Sequence, residues 1–241
     1  HVYETPRGST QALSDISFRV ETGRFVSIVG PSGCGKSSLL MMIAGLIRPT
    51  EGTISAGGQP LVAPDPKRIG VIFQDASLFP WLTARANVEF PLSLRHVDRK
   101  ERQERADEAL ELVGLSGFAD RHPHELSGGM KQRVALARGL VQDPPILLMD
   151  EPFAALDEQT RLSMGDEVLR IWERTRKTIL FVTHGLSEAI HLSDEVLVLT
   201  SRPGRLVETV TVDLPRPRTF ETMGGRRFEE LRDRIWRRIK S

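Results

Sequence analysis

"GPSGCGKSSLL", residues 30–40, follows directly on the apolar run "FVSIV", residues 25–29. Three glycines and a lysine thus stand between a strand-like stretch and a helix-like one. Gly30, Gly33 and Gly35 give the backbone a freedom that a Cβ removes, so successive amide N–H groups can turn inward around an anion. Lys36 adds a fixed positive charge and Ser37 a hydroxyl able to ligate Mg²⁺. Residues 38–46, opening on Ser38, form a helix whose N-terminus aims its positive dipole end at the same point. With Pro31, Ser32 and Cys34 completing the loop, the pattern is G-x-x-x-x-G-K-S, a P-loop. A glycine-rich turn with a surface lysine would share the bare pattern. The context argues against it: residues 24–29 read as a buried strand, and Leu39, Leu40, Ile43, Ala44 and Leu46 put an apolar face on the helix.

Composition narrows the class. At 241 residues, 39% hydrophobic and 27% charged, the chain has ordinary globular composition and the length for a substantial core. One compact domain with a subdomain is expected. No run approaches the roughly 18–20 apolar residues of a membrane span, and no charged-then-apolar leader opens the chain, so a soluble chain is expected. The sequence starts on His1 rather than Met, so a few residues, or part of a first strand, are expected ahead of it. A single cysteine, Cys34, excludes an internal disulfide and fits a reducing compartment. The N–H groups and Lys36 around it predict thiolate character. A net charge of +1 gives no whole-molecule footprint for nucleic acid, which is not expected as a partner.

Residues 13–20, "LSDISFRV", alternate apolar and polar and predict a β-rich start. Short strands are expected at 52–56 and 68–73. Residues 99–113 are densely charged, with Ala106, Ala109, Leu110 and Val113 at helical spacing, a Glu101–Arg105 pair one turn apart and Gly114 as a stop. Residues 131–141 read as a second helix, so about 81–140 form a mainly helical insert. Alternation of β and α then resumes with "PILLMD", a helix from Glu158, "TILFVT", a helix from Leu186, "EVLVL" and "RLVETVTV". Strands apolar on both faces imply an α/β fold with a largely parallel sheet. "LPRPR" marks a boundary before a short C-terminal helix.

"PILLMDEP", residues 145–152, is a buried strand ending in two adjacent acids, a pairing that a cation would justify. A strand that simply ends at the surface is the plainer alternative. Beside a P-loop the reading is a Walker B motif: Asp150 orients Mg²⁺ or its waters, and Glu151 polarises the attacking water. In "HELSGGMKQRVALARGL", residues 124–140, Ser127, Gly128 and Gly129 open a helix and so form a second anion-binding N-terminus in a chain with one P-loop. An ordinary Ser N-cap on a flexible turn would look the same in isolation.

"LSGGMKQR" between a P-loop and "LLMDEP" resembles the signature of ATP-binding cassette (ABC) proteins, with Met130 where Gln is more usual, and the resemblance covers almost the whole chain. It implies a P-loop NTPase (RecA-like) core with an N-terminal antiparallel β region and a helical subdomain insert. The expected division is a nucleotide-binding core of residues 1–80 and 141–215, a helical signature subdomain of 81–140, and a C-terminal helical tail of 216–241. ATP and Mg²⁺ are the implied cofactors, with Ser37, Gln74 and Asp150 toward the metal. The same resemblance places Tyr3 as the aromatic that stacks on adenine and Gln74 in "VIFQD" as the glutamine that reaches Mg²⁺ and the attacking water. Asp157 in "AALD" falls in the D-loop, with Ala154 where Ser is common. His184 in "FVTHG" is the implied switch histidine that contacts the γ-phosphate. In the family two such chains pair head to tail, each ATP lying between one chain's P-loop and the other's LSGGM. The second anion nest would then serve a nucleotide held by a partner copy.

After Gln74, "DASLFPWLTARANVEFPL" carries Leu78, Phe79, Trp81 and Leu82, expected to be partly core and partly the groove that, in the family, receives a coupling helix of a membrane permease. "LFPWLTARANV", "SRPGRLVETVTVDLPRPR" and "RFEELRDRIWRRI" resemble the nitrate, sulfonate and taurine importer branch. That implies a peripheral protein on the cytoplasmic face of the inner membrane, working with permease subunits and an extracytoplasmic solute-binding protein. An exporter subunit or a soluble, non-transport cassette ATPase are the alternatives. The tail carries seven basic against three acidic residues from Arg226 to Lys240, with Phe228, Leu231, Ile235 and Ile239 on one face. Packing on its own domain is expected, contact with anionic lipid being the other reading.

Overall fold

A computed structural model describes residues 1–6, 8–201 and 203–240. Arg202, in the branch-like "SRPGR" stretch, and Ser241 of the tail lie outside them. The chain forms two compact units, His1–Asp65 with Arg176–Ser241, and Pro66–Thr175.

In the first unit, β1 (Val2–Thr5) and β2 (Gly8–Gln11) make an antiparallel hairpin with Tyr3 opposite Thr10. Then come β3 (Phe25–Val29), α1 (Lys36–Ile43) and a two-residue hairpin of β4 (Ser55–Ala56) and β5 (Gln59–Pro60). The second unit supplies β6 (Ile69–Ile72), α2 (Ala84–Ser93), α3 (Arg99–Leu112), α4 (Gly128–Leu140), β7 (Ile146–Asp150) and α5 (Glu158–Thr175). The chain returns to the first unit with β8 (Thr178–Val182), α6 (Leu186–Leu192), β9 (Glu195–Leu199), β10 (Leu206–Thr211), α7 (Phe220–Met223) and α8 (Arg226–Lys240).

Within the first unit the strands run β10-β9-β3-β8. β3 lies parallel to both β8 and β9, and β10 closes the edge antiparallel to β9. Every residue of β3 and β8 is buried, as strands covered on both faces require. Phe25 and Phe181 meet at 5.9 Å between ring centroids. A second cluster joins Val29, Ile190, Val198 and Val210 to Phe228, Leu231 and Ile235, so the apolar stripe of α8 is part of this unit's core. Its basic side is tied down by Arg227 on Asp213 and by Arg234 and Arg238 on Glu208. Arg218, 6% exposed, donates to the carbonyls of Ile190, His191 and Ser193 at the end of α6 and to those of Val212 and Leu214. Burial, then the neighbouring Arg216, pushes its pKa down to about 10.

In the second unit β6 and β7 pair in parallel. α2, α3 and α4 pack on one another. Thr83, Asp98 and Ser127 cap them through side-chain oxygens, each satisfying one N–H orphaned at a helix start. Asn87 on α2 is fully buried and spends its amide on one loop, accepting from Phe79 N–H and donating to the carbonyls of Phe79, Leu82 and Thr83.

Residues 13–20 correct the expected first strand. Among the described residues they form no ladder beyond a single bridge of Leu13 to Gly204. The alternation still reports a face: Ile16, Phe18 and Val20 are half-buried while Ser17 and Arg19 are exposed. The strand expected over 52–56 shortens to Ser55–Ala56.

Candidate functional site

β3 delivers the chain into the 30–38 loop, and α1 leaves it. Gly35 caps α1 in the left-handed region, φ +96°, and a Cβ there would lie 2.7 Å from Leu13 Cδ2, so no other residue fits without displacing Leu13. Lys36 is buried and folds back over its own loop, donating to the carbonyls of Gly30 at 2.9 Å and Pro31 at 3.1 Å. The ammonium is thereby tied to its own loop rather than swinging in solvent. Ser32 and Ser37 are exposed at the rim. Tyr3 brings its hydroxyl onto Ser38 Oγ at 2.8 Å, which sets an aromatic ring, 36% exposed, beside the end of the loop. His184 follows β8 and is exposed; its turn is held by Thr183 Oγ1, which accepts from Gly185 N–H at 2.9 Å and donates to Glu188.

The second unit carries the acids. Asp150 is buried at the end of β7, and Glu151 directly after it has φ +44°, a left-handed conformation that costs a non-glycine residue energy and is commonest where function demands it. Gln74 lies exposed just beyond β6. Ser127 Oγ accepts from Met130 N–H at 3.3 Å, leaving the start of α4, Gly128 included, open to solvent. Asp157 caps α5 through Thr160, and the N–H and hydroxyl of Thr160 hold its carboxyl below the usual carboxylate range. Of the four apolar residues after Gln74, Trp81 is 71% exposed, whereas Leu78, Phe79 and Leu82 are half-buried. Phe79 rests on Phe90 with ring centroids 4.6 Å apart.

The thiolate expected at Cys34 is corrected. Its side chain is 1% exposed, and burial raises its pKa despite the lowering effect of Lys36. Sequence reasoning also missed Gly204. A Cβ there would lie 2.0 Å from the Cys34 carbonyl oxygen, while its N–H bonds Ala12 and its carbonyl accepts from Ser14. Nothing local in "RPGR" announces contact with a loop so much earlier in the chain. Gly204→Ala must push that carbonyl away, an overpacking cost of about 1–3 kcal/mol. We expect Tm to fall by about 2–4 °C per kcal/mol and ATP affinity to weaken in titration. An unchanged melt and affinity would mean that the 204 loop yields instead.

A family model described as "ABC transporter" matches residues 13–154. The chain belongs to this family: it is an ATPase cassette with a P-loop NTPase fold, its sheet mostly parallel. It is 47% identical over 240 residues to the nitrate import ATP-binding protein NrtD of Synechocystis sp. (strain PCC 6803), covering 97% of this chain and 90% of that protein. It is 43% identical over 228 residues to an aliphatic sulfonates import ATP-binding protein SsuB of Bacillus cereus, covering 95% and 88%. Among solved structures, the dimeric post-hydrolysis state of an ATP-binding cassette bound to ADP and Pi matches with a TM-score of 0.78 at 34% identity, over 89% of this chain and 96% of that one.

Proposed function

We propose that this chain is the ATP-hydrolysing subunit of a solute importer of the nitrate and sulfonate type, acting as a head-to-tail pair of copies beneath a membrane permease. The observation that carries the reading is two separate glycine-bearing helix starts in one chain, the loop closed by Lys36 ahead of α1 and the Ser127-capped start of α4, each suited to an anion. The import names of relatives that cover nearly the whole chain support the direction of transport. In this reading residues 1–80 and 141–215 act as the nucleotide-binding core, 81–140 as the subdomain that presents LSGGM, and 216–241 as a tail. The pair sits on the cytoplasmic face of the membrane with permease subunits, and an extracytoplasmic binding protein supplies the solute. No helix among the described residues is long and apolar enough to cross a membrane itself.

The 30–38 loop, through its backbone N–H groups other than at Pro31, and the Lys36 ammonium hold the phosphates, Tyr3 offers its ring to the adenine, and Ser127, Gly128 and Gly129 of the other copy close over the γ-phosphate, with Asp157 beside that junction. A hydroxyl, an amide oxygen and a carboxylate, from Ser37, Gln74 and Asp150, are oxygen donors of the kind that would hold Mg²⁺. The described residues offer no protein cage of three or more His, Cys, Asp or Glu side chains. Bound Mg²⁺ would neutralise phosphate charge and orient the γ-phosphate. Gln74 positions the attacking water, Glu151 takes its proton as the bond to ADP breaks, and His184 donates to the departing phosphoryl oxygens.

Trp81→Ala tests the permease side. Because Trp81 is 71% exposed, the isolated variant should melt near the wild-type temperature and bind ATP normally. Its assembly with the permease should weaken by about 2 kcal/mol or more, the loss expected of an aromatic anchor. A large drop in Tm, with assembly losses no greater than the lost fold explains, would make Trp81 structural and refute the docking role.

A further inference from the structure

One helix grips both flanks of Gln74. From α4, Gln132 reaches back with Nε2 to the Phe73 carbonyl at 3.4 Å, the residue before Gln74. Six residues further along α4, Arg138 splits its guanidinium over two consecutive carbonyls, Nη2 to Ala76 at 2.6 Å and Nη1 to Ser77 at 2.9 Å. At the second grip the backbone turns sharply. Ser77 sits at φ +43° with its N–H on Asp75 Oδ1 at 2.9 Å, a left-handed conformation that an exposed serine does not hold without support. Beyond Ser77 the Asn87 amide takes over the backbone of residues 79–83. Gln74 itself is exposed and makes none of these bonds, so its placement is inherited from its neighbours.

We propose that Arg138 is a positioning residue for hydrolysis, its two-pronged bond to Ala76 and Ser77 making the glutamine segment move as one body with the helix that begins at Ser127. The inference rests on the reading of Gln74 as the residue that orients the attacking water. It adds a mechanical statement: displacing the start of α4, which a second copy's ATP would do, displaces Gln74 at the same time. A planar guanidinium is required because one rigid fork must meet two carbonyls that diverge from adjacent residues; a lysine ammonium serves one of them as a point donor.

The test is a mutant cycle on the full chain, comparing Arg138→Met, Arg138→Lys, Gln74→Ala and the Arg138→Met/Gln74→Ala double variant. Arg138→Met should lower kcat about 10- to 100-fold, the usual effect of misplacing a reacting group by an ångström or so. KM for MgATP should stay within about 2-fold, and Arg138→Lys should fall between Arg138→Met and wild type. The double variant should be no slower than Gln74→Ala alone, since both changes act through one side chain. Amide hydrogen exchange should rise over residues 73–79 in Arg138→Met with α4 unchanged. Wild-type turnover in Arg138→Met, losses that add in the double variant, or faster exchange along the whole of α4 would each overturn the proposal. If Arg138→Met does not fold, Arg138→Lys carries the same cycle. Wild-type turnover in Gln74→Ala would remove the reading of Gln74 and this inference with it. A slow Gln74→Ala beside a fast Arg138→Met would remove this inference alone.

Discussion

Replacing Glu151 by glutamine is expected to leave ATP binding intact and to lower turnover by about 10²- to 10⁴-fold, the usual cost of losing a positioned general base. The substitution keeps the shape of the side chain and exchanges one oxygen for NH₂, so it removes proton affinity without changing volume. It also keeps the backbone as it is. Glu151 holds φ +44°, its carbonyl accepts from Ala154 N–H at 3.1 Å, and a glutamine meets the same torsional demand, so Tm should not move. ATP-bound pairs should accumulate because the step that releases them has slowed. Phosphate release in single turnover, with size-exclusion chromatography in ATP, measures both effects. Near wild-type hydrolysis, or no ATP-dependent pairing, would remove the role assigned to Glu151.

Ser127→Arg should abolish hydrolysis by the homogeneous protein, at least about 100-fold, while an isolated chain keeps its affinity for nucleotide. The Ser127 hydroxyl caps α4 and the helix start beyond it is open, so a guanidinium there both removes a cap and fills the space for a phosphate. The cap loss alone is worth about 1 kcal/mol, too little to unfold the chain, and a thermal melt should show only that. Mixing separates the two cradles. Lys36→Ala chains lose the buried ammonium that bridges the Gly30 and Pro31 carbonyls and should be inactive alone. Combined with Ser127→Arg chains they form pairs in which one intact P-loop faces one intact LSGGM, and activity should return. Failure to recover activity, with mixed pairs shown to form, would argue against trans pairing. So would loss of nucleotide binding by the Ser127→Arg monomer.

The elements proposed to carry chemistry stand out in the sequence because their signals are local. The 30–38 loop, the acids closing β7 and the serine opening α4 each combine a backbone requirement with residues a few positions apart. α2 was folded into a generally helical insert and not seen by itself, because Pro91 interrupts its helical pattern and Asn87, which looks like a breaker, is a buried staple for a loop. Residues 13–20 show the opposite failure: period-two alternation announces which side chains turn inward, but a ladder needs a partner strand, and the alternation does not supply one. The immediate charges around Cys34 mislead, since the burial that raises its pKa comes from packing that no local pattern records. Gly204 and Arg138 act on residues far away along the chain, Arg138 across 61 positions to Ser77, through backbone carbonyls that any sequence would provide. Such contacts leave no periodicity to read.

Asn87 secures the backbone of residues 79–83 from inside, so the fold asks almost nothing of the side chains of Pro80 and Trp81, which stand in solvent. The consequence is evolutionary. A protein whose outward-facing residues are mounted on a loop held by backbone bonds can change the company it keeps one substitution at a time, without repacking its interior and without disturbing its chemistry. Substitutions at these two positions should therefore cost little stability, whereas substitutions at Asn87 should cost more.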